Sequence, residues 1–172
     1  MNPNNWYTAW SFIAVATLLS IGCGWLIKSD RLPIEPTLPF SDRQLKFMKV
    51  WVNAALLIGV IIPIIMLVVF WNRPTARQFF SCYLLVVAVQ LGCETVFSRI
   101  LCKSIVVIIG TLYTGFRIWQ LWEGLQLTTY SQPWLSLLEL VFLFWVANMI
   151  MLTTLAIPTI ISKSEYKQEY VE

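Results

Sequence analysis

Five long apolar runs, separated by short polar segments, decide what this sequence can fold into. Their predicted bounds are residues 6–27, 50–71, 79–97, 105–125 and 134–157. A helix needs about 20 apolar residues to cross the roughly 30 Å of hydrocarbon in a bilayer, and each run approaches or exceeds that length. The sequence therefore predicts an all-α, polytopic transmembrane helix bundle of five spans. It forms a single membrane domain covering residues 1–172.

Composition excludes several classes of function. Only 12% of the residues are charged, against roughly 25% in soluble domains, and the net charge of +3 is too small to indicate a nucleic-acid partner. The chain has no histidine, which removes the commonest metal ligand and the commonest general base. We therefore expect neither an enzyme nor a His-ligated haem or metal. The cofactor stays unknown, and a pigment or a lipid is compatible with this composition.

The four cysteines, Cys23, Cys82, Cys93 and Cys102, form no C-x-x-C pair and lie within or beside apolar runs. Free cysteine is among the most often buried residue types. We interpret all four as small packing residues.

The segment between the first two spans, residues 28–49, is predicted to be an inner loop in two parts. Prolines recur at every third position in its first part, at Pro33, Pro36 and Pro39. That spacing favours an extended, polyproline-like connector. Ser41 and Gln44 then have the spacing of a capping box, which predicts a helix from Asp42. The final mixed-charge segment, 162–172, is a polar tail.

Basic residues are distributed unevenly over the segments between spans. Nine lysines and arginines fall on one side if the N-terminus is outside, and only Arg73 and Arg77 fall on the other. The positive-inside rule therefore predicts an outer N-terminus and an inner C-terminus. The small size of the chain and its short loops favour a bacterial plasma membrane or a thylakoid. If Arg99 and Lys103 belonged to one long broken element, the chain would have four spans and both termini on one side.

Pro63 lies in the middle of the second span. Proline has no backbone N–H, so it predicts a kink and one carbonyl without its helical partner. In lipid, such a carbonyl must find a donor on a neighbouring helix or a water molecule.

Three charged residues stand out within the spans, where charges are costly and need partners: Glu94, Arg117 and Glu139. Helical rise places Arg117 about 12 Å and Glu139 about 9 Å below the same surface, so we predict that they form an interhelical ion pair. Glu94 lies about 8 Å from the opposite surface, too far in depth for an easy pair with Arg117. Gln90 lies one helical turn before Glu94, and Asn53 lies at a similar depth on the second span. We predict that Glu94, Gln90 and Asn53 form a ligand site or a structural polar cluster.

Glu94 and Arg99 have an E-x-x-x-x-R spacing that resembles the chlorophyll-binding helix of light-harvesting-like proteins. That resemblance implies a glutamate that binds pigment while paired to an arginine of a partner helix. The match covers six residues and lacks the surrounding Asn-Gly and Ala-Met positions, so we do not assign the chain to that family.

Two functions follow from these patterns. The leading hypothesis is a non-enzymatic accessory or assembly subunit of a larger photosynthetic or respiratory membrane complex, with the bilayer and other membrane subunits as partners. The alternative is a small transporter, channel or lipid-binding protein that uses Glu94. Against both stands the interpretation of Glu94 and of Arg117–Glu139 as polar contacts that only hold helices together.

Overall fold

The computed structural model describes residues 5–37, 40–127 and 130–161, without the side chain of Leu127. Five helices are long and apolar enough to cross a membrane. They are α1 (Trp6–Lys28), α2 (Asp42–Val69), α3 (Pro74–Ile100), α4 (Ile105–Leu127) and α5 (Trp134–Ile161). The described residues contain no strand, and the predicted five-span bundle is confirmed.

The alternative of four spans is wrong, because a short turn after Ile100 separates α3 from α4. Most of the helices are longer than the apolar runs that predicted them. α3, for example, extends over Arg77 and Arg99 at its two ends. Polar residues continue a helix beyond the hydrocarbon layer, so hydropathy alone underestimates its length. The predicted tail, 162–172, and Pro39 lie outside the described residues.

The two ends of the bundle differ in composition: Lys28, Arg99 and Lys103 lie at one end, and Trp71, Trp122 and Trp134 lie at the other. At the end that we call the basic end, α1 and α3 finish together, and the Lys28 ammonium donates a hydrogen bond to the Ile100 carbonyl over 3.2 Å. At the opposite end, which we call the tryptophan end, the ring of Phe70 packs against Trp134 with centroids 5.7 Å apart. The successive helices therefore run in alternating directions between these two ends.

The connector between α1 and α2 packs across the basic end. The Glu35 amide donates to the Ile160 carbonyl over 3.1 Å, and the Lys103 amide donates to the Pro36 carbonyl over 3.0 Å. The Ser104 hydroxyl donates to the Glu35 carbonyl as well. The connector is thus bonded to the α3–α4 turn and to the end of α5, and it carries the chain across the bundle to α2.

α2 begins as the sequence predicts and then changes its helical geometry. Ser41 and Gln44 form both bonds of the capping box. A π-helical turn, Leu57–Ile61, precedes Pro63, and the Ile62 amide bonds five residues back to Leu57. Insertion of such a turn is a recognised cause of helix bending. The predicted disturbance of the helix at Pro63 is therefore present, as a π-turn directly before the proline.

A second π-turn, Leu152–Ala156, was not predicted. It also ends two residues before a proline, Pro158, and its following amide bonds five residues back to Leu152. Both interruptions therefore share one local cause: the proline cannot donate, and the neighbouring amide takes a more distant carbonyl.

The largest cluster of buried residues lies toward the tryptophan end. Aromatic side chains from α2, α3 and α5 interlock there, among them Phe70, Phe79, Phe80, Tyr83 and Trp145. The second half of α2 belongs to this core through Pro63 and Met66, which are buried. Its first half, Asp42–Leu56, has no buried residue at all. α2 therefore packs closely on the bundle over only part of its length.

Candidate functional site: a cavity beneath the first half of α2

Arg117 is the largest of the fully buried side chains, with 2% of its surface exposed. Its guanidinium donates from Nη2 to Oε1 of Gln90, and Nε2 of Gln90 donates to Oε1 of Glu94. The guanidinium carbon also lies 4.1 Å from the ring centroid of Trp145. The buried charge thus meets an amide and an aromatic face, and the amide links it to a carboxylate on α3.

The predicted ion pair between Arg117 and Glu139 is wrong. Glu139 is exposed on α5, beside buried Leu138 and two residues before buried Val141. Similar depth permits a contact, but depth does not determine which face of a helix a residue occupies. Leu138 and Val141 are the residues that α5 turns toward the core, so Glu139 cannot reach Arg117.

Glu94 and Arg117, which we expected to lie too far apart in depth for an easy pair, are linked through Gln90. Gln90 lies one helical turn before Glu94 and bonds to both residues, so an amide spans the difference in depth. The predicted contact between Gln90 and Glu94 is confirmed. Asn53 is not part of this group, because its side chain is exposed. It lies at helical spacing from Lys46 and Lys49, which are exposed too.

A second set of bonds accounts for the carbonyl that Pro63 leaves without its helical partner. That carbonyl belongs to Gly59, four residues earlier, and the Tyr83 hydroxyl donates to it over 2.8 Å. Trp145 in turn donates from Nε1 to the Tyr83 hydroxyl over 2.7 Å. The predicted need for a donor on a neighbouring helix is confirmed. Trp145 joins this set to the Arg117 group, since its ring lies against the guanidinium.

A third set of bonds ties the first half of α2 to the bundle. Trp51 donates from Nε1 to Oδ1 of Asn148 over 2.7 Å, and Nδ2 of Asn148 donates to the Thr114 hydroxyl over 3.0 Å. Among the described residues, this is the one side-chain hydrogen bond that joins Asp42–Leu56 to another helix.

A cavity of about 160 Å³ lies between the first half of α2 and helices α3, α4 and α5. Most of its lining is apolar, with representatives from each element: Phe40, Met48, Ala55, Val87, Val107 and Leu152. Glu94, Gln90, Arg117 and Asn148 supply the polar part. Three further lining residues, Val52, Leu56 and Leu91, are exposed on the bundle surface. They mark a lateral mouth between α2 and α3.

Five residues of these groups were missed at the level of sequence: Tyr83, Trp145, Trp51, Asn148 and Thr114. Each is a polar or amphipathic side chain inside an apolar run, where bulk and packing are the default interpretation. One of them could have been sought by rule, because Pro63 identifies Gly59 as the carbonyl that needs a donor. The identity of that donor depends on how α2 and α3 pack.

The cysteines and the rest of the titratable groups add no second site. All four cysteines are free, and Cys82 and Cys102 are buried. Burial raises the pKa of the Cys102 thiol, which lies in the turn between α3 and α4, so its reactive thiolate form is disfavoured. No group of three or more histidine, cysteine, aspartate or glutamate side chains comes together within the described ranges.

No protein-family model, curated protein or solved structure matches this chain. The function must therefore be inferred from the contacts within the chain. They form an apolar cavity with a lateral mouth and one compact polar group. Such an arrangement can hold an amphiphilic molecule, with its apolar part in the cavity or mouth and its polar part at Glu94.

Proposed function

We propose that this protein is a non-enzymatic, membrane-embedded binding protein for an amphiphilic, lipid-phase ligand. The observation that carries the proposal is the cavity beneath the first half of α2, with its apolar walls and its Glu94–Gln90–Arg117 group. Ligand sites in proteins are typically apolar with a few placed polar groups, and the cavity has this composition.

The lateral mouth supports access from the bilayer. Val52, Leu56 and Leu91 are exposed and apolar, so a ligand dissolved in lipid can reach the cavity without crossing water. The first half of α2 has no buried residue, and its side-chain attachment to another helix is the bond from Trp51 to Asn148. Displacing this half of the helix would break that bond and the stacking of Trp51 on Phe144, but it would remove no fully buried residue of α2 from the bundle, which favours entry and exit there.

The size of the cavity limits what enters it. Its volume of about 160 Å³ is close to that of a cavity of about 150 Å³ that accepts a benzene molecule. A whole lipid is larger. The ligand would therefore place a ring-sized or similarly small portion inside, while the rest of its apolar body extends through the mouth into the bilayer.

A photoactivatable hexadecanol that carries a diazirine near its hydroxyl tests the proposal. The protein is reconstituted in vesicles, irradiated with the probe, and the labelled residues are mapped by mass spectrometry. We expect saturable labelling of cavity residues such as Met48, Val107 and Leu152. Residues on the lipid face of α1, such as Leu18, are exposed, and their labelling should rise without saturation.

A matched pair of glycine substitutions controls the experiment. A leucine at Gly110 would project beside Glu94 and Leu152, which lie 3.9 and 3.7 Å from an added Cβ. Gly110→Leu should therefore abolish the saturable labelling. Gly22 has nothing within 4 Å of an added Cβ, so Gly22→Leu should leave it unchanged. Equal labelling of the cavity in both variants would contradict the proposal.

Three predictions made from sequence stay predictions. They are an accessory role in a photosynthetic or respiratory complex, an outer N-terminus, and a location in a bacterial plasma membrane or thylakoid. Transport through the chain also stays a prediction, and a ligand site open to lipid is compatible with it. Large membrane subunits that co-purify stoichiometrically in mild detergent would support the accessory role.

A further inference from the structure

The polar atoms that line the cavity differ in how much bonding capacity they have left. Asn148 donates to Thr114 and accepts from Trp51, and Gln90 donates to Glu94 and accepts from Arg117. These two amides are also nearly inaccessible, with 8% and 7% of their surfaces exposed. Their amide groups are therefore already bonded to other side chains of the bundle.

Glu94 is different. It is only partly buried, and the hydrogen bond from Gln90 reaches Oε1. No described residue donates a hydrogen bond to Oε2. A carboxylate oxygen accepts hydrogen bonds and cannot donate them. When Glu94 is ionised, the polar atom that a ligand can reach is therefore an acceptor, because the Arg117 Nε donor, which has no hydrogen-bond partner, is fully buried.

The charges around Glu94 decide what kind of donor suits it. Arg117 keeps its positive charge under all ordinary conditions and is fully buried. Glu94 is the acid that interacts with it electrostatically, since Glu139 is exposed elsewhere. A buried charge without compensation is strongly unfavourable, which favours an ionised Glu94. Together the two residues form a site with no net charge, and a cationic ligand would add a charge that nothing balances.

We infer that the ligand is a neutral lipid-phase molecule with a hydroxyl group, an alcohol or a phenol, which donates a hydrogen bond to the free carboxylate oxygen of Glu94. This inference rests on the proposed function and names the ligand class of the same cavity. The ring-sized volume and the apolar walls accommodate the carbon atoms next to the hydroxyl.

A series of photoprobes with one chain and different head groups tests the inference. A diazirine-bearing hexadecanol is compared with its methyl ether, with hexadecanoic acid and with hexadecyltrimethylammonium, each carrying the same diazirine. All four probes are tested in vesicles that contain the whole protein. A hydrogen bond to a charged group is worth about 1.5 kcal/mol or more, so the alcohol should occupy the cavity at about tenfold lower concentration than the ether. The acid and the ammonium should occupy it no better than the ether.

Two variants assign the preference to the carboxylate. Glu94→Leu should bring the alcohol to the level of the ether, while the labelled positions stay the same. Glu139→Leu makes the same change at an exposed carboxyl outside the cavity and should keep the preference. If Glu94→Leu fails to fold, Glu94→Gln serves instead, because a neutral amide oxygen is a weaker acceptor and should reduce the preference.

The outcomes separate the inference from the function on which it rests. Saturable cavity labelling with no preference among heads, or with the acid or the ammonium preferred, would overturn the inference and leave the binding function standing. A cavity that none of the four probes labels saturably would overturn the binding function. Preference for the alcohol that Glu94→Leu abolishes supports both.

Discussion

The two halves of α2 show how helices attach to each other in an apolar solvent. In the second half, Gly59, Pro63 and Met66 are buried against α3 and α5. In the first half, Asp42–Leu56, no residue is buried. Composition separates them as well: the second half is apolar throughout, whereas the first half carries charged and amide side chains such as Lys46, Lys49 and Asn53. Lipid is as apolar as a helix surface, and it gives no driving force of its own for helix association.

Shape and hydrogen bonding add to this difference. Gly59 has no side chain, and an added Cβ would lie only 2.5 Å from Cζ2 of Trp145, so α5 approaches α2 closely there. The carbonyl of the same residue accepts the Tyr83 hydroxyl. The first half has one corresponding bond, from Trp51 to Asn148. Where close fit and bonds are scarce, the helix stands away and the cavity remains.

The largest effect should come from disturbing the close contact at Gly59. Gly59→Leu would push its side chain into the indole of Trp145, which is held by Tyr83 at one end and Arg117 on its face. Overpacking of this kind costs about 1–3 kcal/mol. Because the indole is constrained, we expect a cost near the upper figure. The free energy of unfolding, measured by SDS titration in mild-detergent micelles, should fall by about 3 kcal/mol.

Gly22→Leu is the matched control, since an added side chain there meets open space. Its unfolding free energy should stay close to that of the unchanged protein. Equal losses in the two variants would show that the second half of α2 is not held by close fit.

Tyr83→Phe should have the next largest effect. It removes the donor to the Gly59 carbonyl and the acceptor for Trp145, and both groups are buried. Interhelical hydrogen bonds in membrane proteins contribute about 0.6 kcal/mol on average, and unsatisfied buried groups cost more, so we expect a loss of about 1–2 kcal/mol. SDS titration measures it, with the exposed Tyr7→Phe as control.

A double substitution makes this test sharper. Pro63→Ala restores an amide that can bond to the Gly59 carbonyl within the helix. In that background Tyr83→Phe should therefore cost less than it does alone. Unchanged losses in both backgrounds would mean that the Tyr83 bond does not compensate for the proline.

The sequence predicted the fold well because apolar length and charge placement are properties of single helices. The five spans, the capping box at Ser41 and the proline effect at Pro63 all follow from a few neighbouring residues. The bond between Gln90 and Glu94 is of the same local kind, since the two residues lie one turn apart on α3.

The tertiary contacts could not be predicted in this way. Arg117 was matched with Glu139 by depth, but the rotation of α5 decides whether Glu139 or Leu138 faces the core, and a nearly uniformly apolar helix gives no periodic signal for it. Asn53 was also assigned to the site by depth, although its helical spacing from Lys46 and Lys49 places it on the polar face of α2. Asn148, which does line the cavity, is a single polar residue on α5, and its apolar neighbours do not indicate which way it faces. The cavity itself depends on the distance between α2 and α3, which no residue pattern specifies.

Trp51→Phe tests the weak attachment of the first half of α2. It keeps an aromatic ring but removes the bond to Asn148. One interhelical hydrogen bond should be worth about 0.6 kcal/mol of unfolding free energy. The clearer readout is local, because amides of Asp42–Leu56 should exchange with deuterium faster while those of Ile62–Val69 stay unchanged. Faster exchange in both segments would mean that α2 moves as one rigid unit.

The smallest effect should have the opposite sign. An alanine at Gly110 would place its Cβ 3.7 Å from Leu152 and 3.9 Å from Glu94, which is ordinary contact. Gly110→Ala therefore adds packing beside the cavity without displacing a neighbour, and glycine in a helix is up to about 1 kcal/mol less favourable than alanine. We expect the unfolding free energy to rise by about 0.5 kcal/mol. Gly59→Ala makes the same change at the contact with Trp145 and should lower it. Two destabilising results would show that α4 is packed as tightly beside the cavity as α2 is at Gly59, and the contrast between the two halves of α2 would then fail.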